Sequence, residues 1–382
     1  MKRVGVVTGT RADFGLLSRT IKLLQSDKNF ETIVFACGSH LSAEYGNTID
    51  EVRNSGVENI VSVEMLLSSS TRVGIAKSIG LATISFADKL SDANLDCLLV
   101  LGDRYEILAA TQAALILDIP TAHIHGGEVT EGAFDDAIRH SLTKMANIHF
   151  PATEEFADRI RQLGEQDDSI FVVGSPGVDN IVNEKRLSKE ALEESLGFAV
   201  GDKPILVTYH PVTKASLQEN DVTPLVEAIK NLQDFNFVIT FPNADGGGEK
   251  IINAWRSIEH LSHVNLIPSL GFIRYLSLME HVVAVIGNSS SGIIEVPGFK
   301  VPTINIGTRQ KGRPLASSVV NCRLGNKDIL DSIDKVMSEE FQNSLSKTIN
   351  PYGDGQAAER IVDVLTKIDF ENVRIKKFRD IT

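Results

Sequence analysis

Val282-Val283-Ala284-Val285-Ile286, followed by Gly287-Asn288-Ser289-Ser290-Ser291-Gly292, is the stretch on which the reading of this chain turns. An unbroken apolar run of this kind reads as a strand buried on both faces, as in a parallel sheet. The small residues after it form a turn, and a short helical pattern follows that Pro297-Gly298 ends. At such a junction unpaired N–H groups and the positive end of the helix dipole face the turn, and Ser289, Ser290 and Ser291 add hydroxyl donors. The turn is either an anion site or a serine-rich N-cap with no ligand. Glu295 falls about one turn into the helix, where it can accept from a ribose hydroxyl. A diphosphate carrying a ribose fits this set of groups.

Strands and helices alternate on both sides of this stretch. Val4–Val7, Thr32–Cys37, Leu95–Leu101, Pro120–Ile124 and the run at His149-Phe150 read as strands. Helical spacing separates several of them, as at Phe14, Leu17, Ile21 and Leu24 and over Ala137–Met145. Gly164 to Phe171-Val172-Val173-Gly174 repeats the helix-to-strand pattern. A charged helical stretch over Asn183–Leu196 then leads to a second series, with strands at Ile205–Thr208, Phe237–Phe241, Val264–Pro268, Val282–Ile286 and Thr303–Ile306. Two such series predict an α/β protein of two Rossmann-like, doubly wound parallel-sheet domains facing a cleft. The expected domains are 1–177 and 178–352, with a helix and tail over 353–382 that either packs back on the first domain or lies solvated. Ligands in such sheets bind beyond the carboxyl ends of the strands.

The bulk properties narrow the partners. With 382 residues there is room for two full cores. A net charge of -12 argues against nucleic acid or an anionic membrane, because phosphate-rich surfaces need a basic counterpart. No stretch approaches the roughly 20 apolar residues of a membrane span. Cys37, Cys97 and Cys322 stand singly, with neither disulfide nor metal spacing, which fits a reducing cytoplasm.

Polar clusters stand at the predicted strand ends. Thr8-Gly9-Thr10-Arg11-Ala12-Asp13 follows the first strand. An arginine at a helix start either grips an anion or pairs with Asp13 or another carboxylate. The spacing there is not that of a dinucleotide fingerprint. Gly38-Ser39-His40 ends the second strand, with His40 either near a ligand or a satisfied structural residue. Gly102-Asp103-Arg104, His123-Ile124-His125-Gly126-Gly127-Glu128 and Asp135-Asp136 with Arg139-His140 follow later strands. Asp103, Glu128, Asp135 and Asp136 are expected to converge and raise one another's pKa, which suits proton transfer. The bland alternative is a set of surface pairs, Asp103 with Arg104 and Asp136 with Arg139. His123 reads as core, His125 as nearer the mouth. In the second series His210 can touch a phosphate or act as an acid, Asn243 can bind ribose or phosphate, and Arg309, Lys311 and Arg313 add positive charge facing the serine turn. Gly246-Gly247-Gly248 reads as a flexible turn.

Taken together, Thr8–Asp13, Gly102–Arg104, His123–Glu128, Asp135–His140, His210-Pro211, Gly287–Gly292 and Gly307–Arg313 resemble the hydrolysing UDP-N-acetylglucosamine 2-epimerases, collinearly over nearly the whole chain. The resemblance implies the two-domain GT-B arrangement. It also implies a reaction in which UDP leaves C1, a base removes the C2 proton to give a 2-acetamidoglycal, and water and a proton then add with inversion at C2. Asp103, Glu128, Asp135, Asp136 and His210 are the implied catalytic residues. Arg11, Arg104, His210, Asn243, Leu270, Ser289, Ser290, Ser291, Gly292, Glu295, Arg309 and Arg313 are the implied UDP contacts. No metal or other cofactor is implied, and a homodimer or homotetramer is. The substrate is UDP-N-acetylglucosamine, towards sialic acid, or UDP-2,4-diacetamido-2,4,6-trideoxyglucose, towards legionaminic acid; Met65–Gly80 resembles enzymes of the second kind as well. A glycosyltransferase using a UDP-sugar donor and a non-catalytic nucleotide-sugar sensor are the readings from other classes.

Overall fold

The computed structural model describes residues 1–42, 47–67, 71–129, 134–211, 221–242 and 248–380. The expectations at Asn243 and at Gly246-Gly247 lie outside them, as does Ser68–Ser70 of the Met65–Gly80 stretch. The chain divides into two compact units, Met1–Asn180 with Tyr352–Thr382, and Ile181–Pro351.

Unit 1 is built on a six-stranded parallel sheet in the order β3-β2-β1-β4-β5-β6, formed by β1 (Lys2–Thr8), β2 (Phe30–Cys37), β3 (Ile60–Val63), β4 (Cys97–Leu101), β5 (Thr121–Ile124) and β6 (Ile148–Phe150). Its helices are α1 (Arg11–Ser26), α2 (Ile49–Asn54), α3 (Arg72–Ala93), α4 (Tyr105–Ile116), α5 (Phe134–Met145), α6 (Glu154–Gln162) and α7 (Pro176–Asn183), the last crossing into unit 2. One face of the sheet packs Val4, Val6 and Leu99 against Leu17, Ile21 and Leu24 of α1. The other packs Val7, Leu98 and Val100 against Phe86 and Leu90 of α3 and Ala110 of α4. Strands buried on both faces are what the unbroken apolar runs predict.

Unit 2 repeats the plan with α8 (Lys189–Leu196), β7 (Pro204–Thr208), α9 (Thr223–Asn231), β8 (Asn236–Thr240), α10 (Gly248–Arg256), β9 (Val264–Ile267), α11 (Gly271–Met279), β10 (Ala284–Gly287), α12 (Ser291–Ile294), β11 (Thr303–Ile306), β12 (Val319–Cys322), α13 (Asn326–Met337) and α14 (Glu339–Ser344). Its sheet order is β12-β11-β10-β7-β8-β9. Read from β7 onward this is the same Rossmann order as in unit 1. Each sheet therefore has its topological switch point between its first and fourth strands, β1 and β4 in one, β7 and β10 in the other. After Pro351 the chain re-enters unit 1 as α15 (Ala357–Lys367) and α16 (Phe370–Val373).

Three expectations are corrected. The strands β3 and β12 were not foreseen; both are short edge strands with partly exposed residues. Phe171–Val173 forms no strand among the described residues. Phe171 N–H and Val173 N–H donate to the carbonyls of His149 and Pro151, but Pro151 has no N–H to return a bond. The helical stretch expected over Asn183–Leu196 is shorter: α7 ends at Asn183 and α8 starts at Lys189, where Ser188 caps it by accepting from the Ala191 N–H. No described helix is long and apolar enough to cross a membrane.

Candidate active site

In unit 1 the polar residues gather at the carboxyl ends of β1, β4 and β5. Gly102 turns the chain off β4 with φ of 81°, and Asp103 and Arg104 follow. His123, fully buried in β5, is 2.8 Å through Nε2 from the Gly102 carbonyl. Burial holds its pKa down to about 3, so the ring is neutral and Nε2–H donates. His123 thus ties β5 to the turn carrying Asp103. His125 leaves the strand with φ of 67°, a left-handed conformation uncommon outside glycine. Its Nδ1 stands 2.5 Å from Oε1 of Glu128, which is 6% exposed. Gly127 is obligatory in this turn, since a Cβ there would lie 2.2 Å from the Phe156 carbonyl oxygen.

Arg139 of α5 holds these pieces together. It is 5% exposed, and one Nη donates to the Asp103 carboxylate. The other donates to the Glu128 carbonyl at 2.9 Å and to Asp136 Oδ1 at 3.3 Å. The carboxylates were expected to converge and raise one another's pKa, and a buried guanidinium stands among Asp103, Asp136 and the Glu128 carbonyl. A buried arginine is stable only with such a set of acceptors. Neither of the surface pairs describes the site: Arg139 is buried, and Arg104 does not pair with Asp103. Asp135 is held above the ordinary carboxyl range, by burial first and then by the Asp103 charge, with Arg104 and Arg139 pulling it back. His140 Nε2 lies 3.5 Å from Asp136 Oδ2.

Arg104 turns towards β1. Its Nη2 donates to Glu106 Oε1 at 2.9 Å, and its Nε is 4.0 Å from Asp13 Oδ2. Burial raises the Asp13 carboxyl, opposed by Arg104 and by a hydrogen bond to Thr10. Glu106, 1% exposed, was missed in the sequence; its signal is a single charge in the otherwise uncharged helix α4. Arg11 is exposed and forms a 2.9 Å surface pair with Glu51, so it follows the carboxylate-pairing alternative in this structure. His40 is fully buried, with its ring nitrogens 2.9 Å from Thr8 Oγ1 and 2.8 Å from Thr48 Oγ1, which makes it the satisfied structural residue.

In unit 2 the serine turn follows β10 at the switch point. Gly287 has φ of 147°, and a Cβ on it would lie 1.9 Å from the Thr208 carbonyl oxygen. Only glycine lets β10 run this close to β7. Asn288, fully buried, accepts from the His210 N–H at 2.7 Å and donates to the His210 carbonyl at 2.8 Å. Its own carbonyl accepts from Arg309 Nη1 at 3.1 Å and Gln310 Nε2 at 2.8 Å. One asparagine therefore fixes His210, the turn and the arginine loop. Asn288 and Gln310 were not among the expected site residues, because neither carries a charge to mark it.

Ser289 and Ser290 present backbone N–H groups that have no protein partner among the described residues. Ser291 Oγ donates to Ser289 Oγ at 3.0 Å. Gly292 N–H donates to the Ser289 carbonyl, and a Cβ on Gly292 would lie 2.8 Å from Thr303 Cγ2, so this glycine serves the turn and its packing. The helix expected up to Pro297 is shorter: α12 is four residues long, and Pro297 lies in a 3-10 turn, Val296–Phe299. So short a helix has little dipole, so the donors the turn offers an anion are its N–H groups, its hydroxyls and the arginine loop. Glu295 stands at the end of α12, where burial pushes its pKa up to about 7 and the Tyr275 hydroxyl opposes that shift. The Leu270 side chain is in the core with Ile267 and Leu278, leaving only its backbone for a ligand. Arg309 is exposed and Arg313 half-buried. Asn243 lies outside the described residues.

The sequence pattern of the family described as UDP-N-acetylglucosamine 2-epimerase matches residues 22–366. The chain is 34% identical to the GDP/UDP-N,N'-diacetylbacillosamine 2-epimerase (hydrolyzing) of Campylobacter jejuni, over 100% of this chain and 99% of that one. It is 35% identical to polysialic acid biosynthesis protein P7 of Escherichia coli, over 100% and 97%. The crystal structure of the Neisseria meningitidis UDP-GlcNAc 2-epimerase bound to UDP-GlcNAc is similar in fold, with a TM-score of 0.82 at 22% identity over 96% of this chain and 100% of that one. The chain belongs to the UDP-N-acetylglucosamine 2-epimerase family.

Proposed function

We propose that this chain is a hydrolysing 2-epimerase, which converts a UDP-linked 2-acetamido sugar and water to UDP and the free sugar inverted at C2. The observation that most supports it is the cluster in unit 1, where Asp103, Asp136 and the Glu128 backbone are tied to one buried Arg139 while burial and the Asp103 charge push the Asp135 carboxyl up from its ordinary pKa.

In this reading the proton chemistry belongs to residues 1–177 and the nucleotide to 178–352. Breaking the C1–O bond requires the leaving diphosphate to be stabilised. The N–H groups of Ser289 and Ser290, the Ser291 hydroxyl, Arg309, Arg313 and His210 supply donors for that. Glu295 takes the ribose, with backbone contacts at Leu270 and a further one at Asn243. The C2 hydrogen is not acidic by itself, so its removal must accompany positive charge developing at C1, which carboxylates stabilise. Asp103 and Glu128 serve one face of the ring and Asp135 the other, with Asp136 as its alternate. His125 orients Glu128, and Arg11 and Arg104 add positive charge. The intermediate is a 2-acetamidoglycal; water adds at C1 and a proton at C2. The enzyme works as a homo-oligomer in the cytoplasm, the compartment that suits its three unpaired thiols.

UDP-N-acetylglucosamine, giving N-acetylmannosamine for sialic acid synthesis, is the first candidate substrate. The name of the Campylobacter jejuni relative favours UDP-2,4-diacetamido-2,4,6-trideoxyglucose as the second. Supplying each sugar alone and identifying the products tests the reading. One of them should yield UDP and the free 2-epimer without any acceptor. Turnover that appears only when a sugar acceptor is added would replace this reading with a glycosyltransferase.

A further inference from the structure

Glu106, the one charge in α4, is buried at the second position of that helix. A carboxylate there complements the helix dipole, which is the plain account of it. The dipole does not require burial, and a buried ion pair adds little stability over apolar residues of the same size. The surroundings of Glu106 give it a second role. A Cβ on Gly9, after β1, would stand 3.5 Å from Glu106 Cδ, and one on Gly38, after β2, would stand 3.0 Å from Glu106 Oε1. The Ser39 N–H donates to the Gly9 carbonyl at 3.0 Å and joins those two turns. Because β2, β1 and β4 are neighbours in the sheet, the Glu106 carboxylate lies beneath three adjacent strand ends, beside the switch point of unit 1. Arg104, at the end of β4, is gripped along one edge. Among the described residues its guanidinium hydrogen-bonds to Glu106 alone, through Nη2 at 2.9 Å. Its Nε is 4.0 Å from Asp13 Oδ2, its guanidinium carbon is 5.9 Å from the centre of the Tyr105 ring, and its side chain is 42% exposed. Its charge reaches the carboxylate cluster: burial and Asp103 raise the Asp135 carboxyl, and Arg104 opposes them.

We propose that Glu106 is a positioning residue for the nucleotide: by holding Nη2 it turns the Nη1 edge of Arg104 towards the ligand at the carboxyl end of β4. This rests on the reading of the chain as an enzyme of UDP-sugars. A guanidinium is a rigid fork, so one edge can be fixed by a carboxylate while the other meets an anion. Without Glu106 the long Arg104 side chain would be free to change rotamer, and ligand binding would have to order it. The plain account differs in what it predicts, since a charge that serves the dipole of α4 does not act through Arg104.

Calorimetric titration of the full chain with UDP tests this on the unsubstituted protein, Glu106→Gln, Arg104→Ala and the double variant, with thermal melts to identify any that fail to fold. Glu106→Gln keeps the shape of the side chain and loses its charge, and should weaken UDP binding by about tenfold. Arg104→Ala should weaken it at least as much. The double variant should match Arg104→Ala to within about twofold, because a residue that acts through Arg104 has nothing left to act on. If Glu106→Gln fails to fold, Arg104→Lys decides: its single amine cannot be held by Glu106 and also present a second edge, so it should bind UDP about as weakly as Arg104→Ala. A folded Glu106→Gln with unchanged affinity, losses that add in the double variant, or an Arg104→Lys variant with full affinity would each overturn the proposal. UDP that does not bind the unsubstituted protein would overturn it together with the reading it rests on. UDP binding without turnover of any nucleotide sugar would end that reading alone and leave the four affinities to decide the role of Glu106.

Discussion

Glu128→Gln keeps the size of the side chain next to His125 while removing its capacity to accept a proton. The variant should lose about 100-fold or more in kcat, the usual scale for an acid–base group, with UDP affinity unchanged by calorimetry. Full activity in a folded variant would take the proton chemistry away from Glu128. Glu295 offers a test in pH. Burial pushes its pKa in the native state up to about 7, above the ordinary value of about 4.5, so the native state binds that proton more tightly than the unfolded chain. The stability this brings is complete below about 4.5 and is lost as pH rises through about 7. Melting temperatures of Glu295→Gln should therefore match the unsubstituted protein at pH 5 and exceed it at pH 8; equal values at both would remove the burial argument. At this scale the carboxylates proposed to carry the chemistry are legible in the sequence and the residues that hold them in place are less so. Asp103 and Glu128 announce themselves because each follows an apolar strand run. Asn288 does not, and Arg139 reads only as a surface partner of Asp136, because what makes each important is a partner distant in sequence that only the folded sheet brings near.

At the scale of elements, the turn after β10 depends on one missing methyl group. Gly287→Ala would force a Cβ against the Thr208 carbonyl oxygen and a left-handed φ on a non-glycine residue. The cost should be about 2–4 kcal/mol, from overpacking and backbone strain together. Chemical denaturation would measure it, and a change below about 0.5 kcal/mol would contradict the geometry. The central strands were readable because burial on both faces leaves an unbroken apolar run. The edge strands β3 and β12 were not, since a strand paired on one side keeps polar residues such as Ser62 and Asn321. The same reasoning explains the overcall at Phe171–Val173: an apolar run suggests a strand, but pairing needs a donor that Pro151 lacks. It explains α12 as well, for helical spacing over a few residues cannot tell one α-turn from an α-turn followed by a 3-10 turn.

At the scale of the molecule, unit 1 is discontinuous. Ile361 and Leu365 of α15 lie in the same core as Leu17 and Ile21 of α1. Asp179 accepts from the Ala357 and Ala358 N–H groups at the start of α15, at 2.8 and 2.7 Å. Lys2 Nζ donates to the carbonyls of Leu365, Thr366 and Ile368 at its end. Lys376 donates to the last-turn carbonyls around Ala146 and pairs with the buried Glu165 at 2.9 Å, which anchors the end of the helix that carries Asp135 and Arg139. A chain ending at Pro351 should thus lose the cooperative melt of unit 1, whereas one ending at Asp380 should keep it. A cooperative, undiminished melt of the shorter chain would contradict this role.

The family membership of the chain and the carboxylate cluster of unit 1 meet in one claim, that a proton is removed from C2 and replaced as UDP is released. Incubation with UDP-N-acetylglucosamine, and separately with UDP-2,4-diacetamido-2,4,6-trideoxyglucose, in deuterated water followed by proton NMR tests it most directly. The account predicts that one of them gives UDP and a free 2-epimeric sugar carrying deuterium at C2. A free sugar that keeps its original C2 proton, or UDP binding with both nucleotide sugars left intact, would contradict it.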